Sequence, residues 1–445
     1  MHHVIIGNGI TGITAARTLR KLSKDHITVI SGETDLFFSR TALMYIYMGH
    51  MRFKDTQPYP KDFFEKNNIS LKKAWVSKID SAKKTLHFDS GDHMQYDNLL
   101  IATGSKSNRF GWPGQDLKGV QGLYSYQDLL ELEENTRNGI NRAVIVGGGL
   151  IGIEMAEMLH ARHYPVTLLV RESNYWSNIL PAQESALITN HIQDHGFDLR
   201  LNTTLKEIKG DANGRVTGII TDSGEEIPCQ VVGLTAGVSP NISVLQGTEI
   251  KTDRGVLINK RMQTSVEGVF AAGDCAQFTE TLPDRRPVEQ VWYTGKIQGE
   301  CAAKNMLGIN AEYDPGYWFN SAKFLDVEYQ TYGTVLSKLR DGESEFYWEH
   351  NDRQKCVHIV FNSSDHKFIG INTFGIRMRH KLFNTWLQES RSVEYVMAHL
   401  RAAQFDPEFY SRYEENIIDA WHAQFPEHRI TQPDEKTIRS LIFNA

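Results

Sequence analysis

The feature that most constrains this chain is an apolar run that ends directly in glycines, and it occurs twice. "HHVIIGNGITGITAARTLRKL" near the start is followed by "ITVIS", and "RAVIVGGGLIGIEMAEMLHARHYPVTLLV" repeats the pattern over residues 142–170. A near-continuous apolar strand entering a helix at a glycine turn, then a second apolar strand, is the βαβ pattern of a parallel sheet. Gly7 and Gly147 stand 140 residues apart. Two such units predict two nucleotide-binding domains.

The spacing within each turn carries chemistry. In the first, Gly7 permits a tight turn, Gly9 lets backbone approach a pyrophosphate, and Gly12 lets the helix pack on the sheet. Gly147, Gly149 and Gly152 repeat the set after the later strand. Glu33 lies three residues beyond Ile30, just past the second strand. Its carboxylate either takes an adenosine ribose or is simply solvated.

A length of 445 residues corresponds to about three domains. Acidic residues outnumber basic ones, 54 to 48, for a net charge of −6, which argues against a broad nucleic-acid footprint. Cys229, Cys275, Cys301 and Cys356 are far apart, without CxxC or metal-ligand spacing. That usage fits a reducing compartment and predicts neither a disulfide framework nor a metal centre. The apolar opening from Val4 to Ile6 is too short for a signal sequence and reads as a strand. With no run of about 18 apolar residues, no membrane span is expected, and the expected location is the cytoplasm.

Between the glycine units, "KTLHFDS" and "DNLLIATGS" read as strands. "VTGIITDSGEEIPCQVVGLTAG" reads as a hairpin followed by a buried strand, and "GVFAAGDCAQF" as another apolar strand. From about Gly316 the character changes: "KFLDVEYQTYGTV", "SEFYWEH", "KCVHIVFN" and "KFIGINTFG" read as antiparallel strands. "HKLFNTWLQES" and "SVEYVMAHLRAA" read as amphipathic helices. The expected architecture is α/β, with two Rossmann-like domains and a C-terminal α+β domain. The expected boundaries are 1–110 with 240–315, then 111–239, then 316–445.

Both glycine turns, "LLIATGS" and "GVFAAGDC", taken in that order over about residues 1–320, resemble the two-dinucleotide-binding-domain flavoproteins of the pyridine nucleotide–disulfide oxidoreductase superfamily. The resemblance implies FAD on the first turn and NAD(P)H on the second. It implies that Asp274 holds a ribityl hydroxyl, and it adds Thr103, Gly104, Gly237 and Gly273 to the cofactor-binding set. A helix beginning near Gln290 would direct its positive end at the flavin pyrimidine, and Trp292 either packs on the ring or belongs to the core. Glu154 matches a glutamate that family members place beside nicotinamide and flavin. Its position in the first helical turn, where a carboxylate is favoured, is the alternative reason for it. At the strand end "LLVRESNYW", Val170 occupies the usual acid position and Arg171 follows, which tilts the reading towards NADPH, while Glu172 restrains it.

Disulfide reductases of the superfamily carry cysteines after the second strand of the FAD domain. Here that region is "FFSRTALMYIYMG", residues 37–49, without sulfur. "LFFSRTALM" resembles instead a stretch of the ferredoxin, rubredoxin and nitrite reductase branch. Arg40 matches its arginine and either meets FAD phosphate or ribose or makes an ion pair. Thr41 stands where proline is usual, and Tyr45 where many relatives have a lysine, which places Tyr45 at the flavin. The implied activity is an FAD-dependent NAD(P)H oxidoreductase that passes electrons to a separate acceptor, first a small iron–sulfur carrier protein. Direct reduction of nitrite, a quinone or oxygen is one alternative, and a redox-sensing interaction protein resembling apoptosis-inducing factor is another. A homodimer through the third domain is implied by the likeness alone. Arg377, Arg379, His380 and Lys381 form a basic cluster that either docks an acidic partner or is a solvated helix start.

Overall fold

The computed structural model describes residues 1–405 and 411–444. The chain divides into two compact units, one of Met1–Gly147, Met155–Thr167 and Thr204–Pro315, the other of Gly148–Glu154, Leu168–Thr203 and Gly316–Ala445. Among the described residues no helix is long and apolar enough to cross a membrane.

The first unit is organised by a five-stranded sheet in the order Val269–Ala271, Asn98–Ile101, His2–Ile6, His26–Ser31, Ile69–Lys73. Every neighbouring pair is parallel. Parallel sheets are covered on both faces, which is why these strands are apolar runs rather than alternations; Val4, Ile5, Leu99 and Leu100 are all fully buried. The helix Ile10–Leu22 leaves the first glycine turn and packs against the helix Trp292–Met306. The crossing is close because the later helix is glycine where they meet. A Cβ on Gly299 would lie 2.4 Å from the carbonyl oxygen of Thr11.

The strand Ala143–Val146 pairs in parallel with Val231–Leu234, which pairs in parallel with Val120–Gln121. Val216–Thr221 and Glu226–Pro228 form the expected hairpin ahead of that buried strand. The mixed α/β character with parallel sheets agrees with the sequence reading.

In the second unit five antiparallel strands run in the order Phe319–Phe324, Val327–Gly333, Phe368–Phe374, Cys356–Asn362, Glu343–Glu349. Phe346, Phe383, Trp386 and Trp421 fill the core between this sheet and its helices. Two details depart from expectation. "KFLDVEYQTYGTV" is a hairpin rather than one strand: Phe324 pairs with Val327, and Leu325 turns the chain at φ +57°. Asp326 is the single turn-forming residue there, and the strand-like residues on both sides mask it. "SVEYVMAHLRAA" breaks at His399 into Val393–Ala398 and Leu400–Ala403. The His399 ring nitrogen Nδ1 lies 2.7 Å from the carbonyl of Tyr395, where the side chain bonds the backbone.

Candidate functional site

The first glycine turn is built so that one residue is free to meet a ligand while its neighbours are locked. The Gly7 N–H donates to the carbonyl of Ile30 at 2.8 Å. At φ +112° a Cβ there would stand 2.1 Å from the carbonyl oxygen of Ala102. A Cβ on Gly12 would stand 1.9 Å from the carbonyl oxygen of Gly7. Gly9, by contrast, has no protein atom within 4 Å of where its Cβ would be. It is the N-cap of the helix Ile10–Leu22 and offers no side-chain cap. The first-turn N–H groups therefore point past Gly9 without side-chain acceptors, which is an anion seat reinforced by the helix dipole.

The second turn is made the same way. Gly147 adopts φ +129°, and a Cβ there would lie 2.8 Å from the backbone carbonyl carbon of Thr235. In the second unit Gly149 has nothing within 4 Å, and a Cβ on Gly148 would meet Val170 at 2.9 Å. The Tyr175 hydroxyl donates to the Gly149 carbonyl at 2.7 Å and holds the turn. Burial, followed by the charge of Glu154, pushes the Tyr175 hydroxyl above its ordinary pKa, so it stays a donor. Gly152 is buried and Glu154 half-buried on the helix that follows.

Glu33 and Arg40, which the sequence assigned separately, form one bidentate pair. Arg40 donates Nη1 to Glu33 Oε1 at 2.8 Å and Nη2 to Oε2 at 2.6 Å. Nη1 also donates to the Tyr124 carbonyl at 2.6 Å, and the guanidinium lies 4.5 Å over the Tyr124 ring. Burial works against both charges, and their mutual attraction outweighs it: Glu33 is held below the ordinary carboxylate value and Arg40 above its own. Glu33 Oε1 accepts a second bond from the Tyr126 N–H at 2.9 Å. Oε2 keeps capacity for a further donor such as a ribose hydroxyl.

Asp274 closes the strand Val269–Ala271 and is held by a network that spans the first unit. The Ser105 N–H donates to the Tyr124 hydroxyl at 2.9 Å, and that hydroxyl donates to Asp274 Oδ2 at 3.1 Å. Ser105 Oγ donates to the same oxygen at 3.3 Å and accepts from Gln290 Nε2 at 2.7 Å. Burial pushes the Asp274 carboxyl up, so it takes hydroxyl donors readily. Gly104 shows why this turn excludes a side chain: at φ +71°, its Cβ would lie 2.7 Å from the Tyr124 hydroxyl. Gly273 donates its N–H to Gln298 Oε1 at 2.7 Å, and the Thr103 hydroxyl donates to the Asn241 carbonyl at 2.6 Å. Gly237 accepts the Asn108 N–H at 3.1 Å.

The remaining predicted residues divide. The helix expected near Gln290 begins at Trp292, after the cap Val291. Trp292 is half-buried against the core, its ring 6.1 Å from Phe37. Tyr45 is half-buried on the short helix Leu43–Tyr47 and stacks on His50 at 6.2 Å. Arg171 donates Nε to Glu172 Oε1 at 2.8 Å, so each moderates the charge of its neighbour. The basic cluster is not a free patch: Arg377 pairs with Glu328 at 3.1 Å, and Arg379 donates to the carbonyls of Gln404 and Phe405.

All four cysteines are free and buried. Cys275 donates Sγ to the carbonyls of Ile101 and Ala272, each at 3.4 Å. Burial pushes every thiol up, to about 12 at Cys229 and about 11 at Cys301, and likewise upward at Cys275 and Cys356. The sequence reading missed Tyr124, Ser105 and the buried pair Arg285–Glu289, whose charged atoms lie 3.2 Å apart. Glu289 also accepts the Thr294 hydroxyl at 3.0 Å. Two opposite charges four residues apart in "RRPVEQ" were the available signal.

Comparison with known proteins identifies relatives of this chain. The family model described as pyridine nucleotide-disulphide oxidoreductase matches residues 1–298. The NADH oxidase of Methanocaldococcus jannaschii is 29% identical over 341 residues, 74% of this chain and 75% of the relative. The NADH-rubredoxin oxidoreductase of Clostridium acetobutylicum is 29% identical over 312 residues, 70% of this chain and 76% of the relative. The solved structure of an NAD-dependent persulfide reductase from A. fulgidus superposes with a TM-score of 0.82 at 22% identity, covering 96% of this chain and 84% of that one, which is a likeness of fold.

Proposed function

From the premise that this chain belongs to the pyridine nucleotide–disulphide oxidoreductase family and is an FAD-dependent NAD(P)H oxidoreductase, we propose that it passes electrons to a small iron–sulfur carrier protein without a cysteine relay. The observation that carries the reading is the state of sulfur. No cysteine stands in residues 37–49, and the four present are buried with thiols held protonated. A relay needs an accessible thiolate. The relative named as a rubredoxin reductase supports the choice of partner.

When bound, FAD supplies the acceptance of a hydride from nicotinamide and its release as single electrons. The chain's own residues bind and orient. The open backbone at Gly9 takes the pyrophosphate, with Gly7 and Gly12 holding the turn. Glu33 Oε2 accepts a ribose hydroxyl while Arg40 keeps the carboxylate charged. Asp274 accepts a ribityl hydroxyl, oriented by Tyr124 and Ser105. The helix starting at Trp292 turns its positive end to the flavin pyrimidine. Gly147, Gly149 and Gly152 take the nicotinamide dinucleotide, with Arg171 and Glu172 at its adenosine ribose. Glu154 serves the nicotinamide side and Tyr45 the flavin side. The division into 1–110 with 240–315, 111–239 and 316–445 is part of the same proposal.

Anaerobic stopped-flow spectroscopy tests it. NADH or NADPH should bleach the flavin, and rubredoxin or ferredoxin should then reoxidise it faster than oxygen, nitrite or a quinone. Faster reoxidation by oxygen alone would favour the oxidase reading that the Methanocaldococcus relative suggests. A flavin that neither nicotinamide bleaches would end both.

A further inference from the structure

We propose that His191, His195 and Asp326, which lie together in the second compact unit, form a binding site for one divalent transition-metal ion of the zinc class. The two histidines are four residues apart at the end of the helix Ala182–Asp194 and so share a face. Asp326 stands at the turn between Phe319–Phe324 and Val327–Gly333. His191 Nε2 lies 2.7 Å and His195 Nε2 3.3 Å from Asp326 Oδ1. The three ligand atoms are all within 4.8 Å of one another.

The anchoring of the His195 ring suits a metal ligand. His195 Nδ1 lies 2.8 Å from the carbonyl oxygen of His191. A carbonyl only accepts, so Nδ1 carries the hydrogen. His195 Nε2 is then left on the side of Asp326, 3.3 Å from its Oδ1, so an ion seated among the two rings and the carboxylate would be held from two elements. An imidazole whose Nδ1–H is tied to a backbone carbonyl and whose Nε2 is free is the arrangement that orients metal-bound histidine.

The rest of the site fits an ion. Two imidazoles and one carboxylate suit zinc and its neighbours, whereas calcium and magnesium take oxygen donors. His191 is 3% and Asp326 64% exposed, so a bound ion would be anchored on the protein side and open to water on the other. Leu325 sits buried in a left-handed conformation at φ +57°, an unfavourable state for a leucine, and this turn presents Asp326 to the histidines. Binding through His191 Nε2 would place that ring's single hydrogen on Nδ1, and would tie the helix to the hairpin.

A second trio, His366, Glu394 and His428, serves as the internal comparison. There His366 Nδ1 and His428 Nδ1 lie 2.6 and 3.5 Å from Glu394 Oε1, and His428 Nε2 turns to Glu427 at 3.8 Å. Among the described residues no carbonyl accepts from either ring in the way that of His191 accepts from His195.

The test uses the full-length flavin-loaded protein, stripped with a chelator and titrated with zinc against a chromophoric chelator near neutral pH. One equivalent should bind, with affinity reduced in His195→Ala and in Asp326→Asn by at least the roughly 10- to 100-fold that loss of an outer-shell partner costs, and unchanged in His428→Ala. Zinc should raise the melting temperature of the unsubstituted protein and not that of Asp326→Asn, whose exposed position keeps the fold intact. The proposal is overturned if the unsubstituted protein binds no zinc. It is overturned equally if His195→Ala and Asp326→Asn bind as tightly as the parent, or if only His428→Ala loses the ion.

Discussion

Replacing Gly9 with alanine should weaken FAD binding while leaving the apoprotein as stable as before. The structure separates the two effects. A Cβ at Gly9 meets no protein atom within 4 Å, and its backbone, φ −71° and ψ −175°, is one that alanine adopts without strain. The fold itself therefore has no use for a glycine there. Alanine narrows the unfolded ensemble by about 0.4–1 kcal/mol but is a poorer N-cap than glycine by a similar amount, so apoprotein stability should stay nearly unchanged. Ligand binding is where the effect falls. A methyl group in front of the uncapped helix lengthens at least one charge-assisted bond to phosphate. Such a bond contributes about 1.5–3 kcal/mol, so FAD affinity should fall roughly 10- to 100-fold. Gly7→Ala is the control, because its Cβ would lie 2.1 Å from the Ala102 carbonyl oxygen at φ +112°. Strain of at least 1–3 kcal/mol should appear there without any ligand. The assay is FAD titration by fluorescence quenching, beside thermal unfolding of each apoprotein by circular dichroism. Wild-type FAD affinity in Gly9→Ala, or an apoprotein loss matching that of Gly7→Ala, would refute the assignment of this opening to a ligand.

Four other expectations are open to measurement. Arg40→Leu strips two bonds from a carboxylate that is 18% exposed and should cost about 1–3 kcal/mol. Because the folded pKa of Glu33 is depressed, that stabilisation is present above the ordinary value of about 4.3 and lost as pH falls through the folded one. A melting-temperature gap unchanged between neutral and strongly acidic pH would contradict it. In the second unit Glu184 and His358, fully buried and 3.2 Å apart, carry the reverse dependence. Burial raises Glu184, and Glu184 with Glu345 outweighs burial in raising His358, so stability is full below pH 6.5 and falls as pH rises through the folded pKa of His358. His358→Gln should flatten that decline in melting temperature. Arg171→Glu should lower the NADPH/NADH ratio of kcat/KM, and an unchanged ratio would remove Arg171 from the ribose site. Cys275→Ala should leave carrier reduction within about twofold of the parent, since its thiol is buried and protonated.

What the sequence made legible is what neighbouring residues decide among themselves. An apolar run followed by glycines specifies a strand, a turn and a helix over about 20 residues, and both such units appear where expected. Alternation marked the antiparallel strands for the same reason. The hairpin turn at Leu325 was missed because its one turn-forming residue, Asp326, follows a leucine within an otherwise strand-like run. The break at His399 was hidden by an apolar periodicity that continues across it.

The candidate residues could be named one by one from the sequence but their pairing could not, and the reason is physical. Backbone geometry constrains a glycine within its own turn, whereas a charged side chain takes its role from whichever partner the fold delivers. Arg40 was read towards FAD or an ion pair and Glu33 towards a ribose or solvent, and the fold joins the two to each other, seven residues apart. Asp274 was found through its strand-end motif, while Tyr124, which orients it, lies 150 residues away with no motif of its own. The trio of His191, His195 and Asp326 shows both cases: the histidine spacing was written in the helix, and the aspartate 135 residues on joined it only through a turn that composition concealed. Local pattern therefore marks the glycine turns and the candidate groups around them, and tertiary pairing decides how each is charged and aimed. For that reason substitutions at Gly9 and at Arg40 should differ in kind: the first alters ligand affinity at every pH, and the second alters stability in a way that a proton on Glu33 erases.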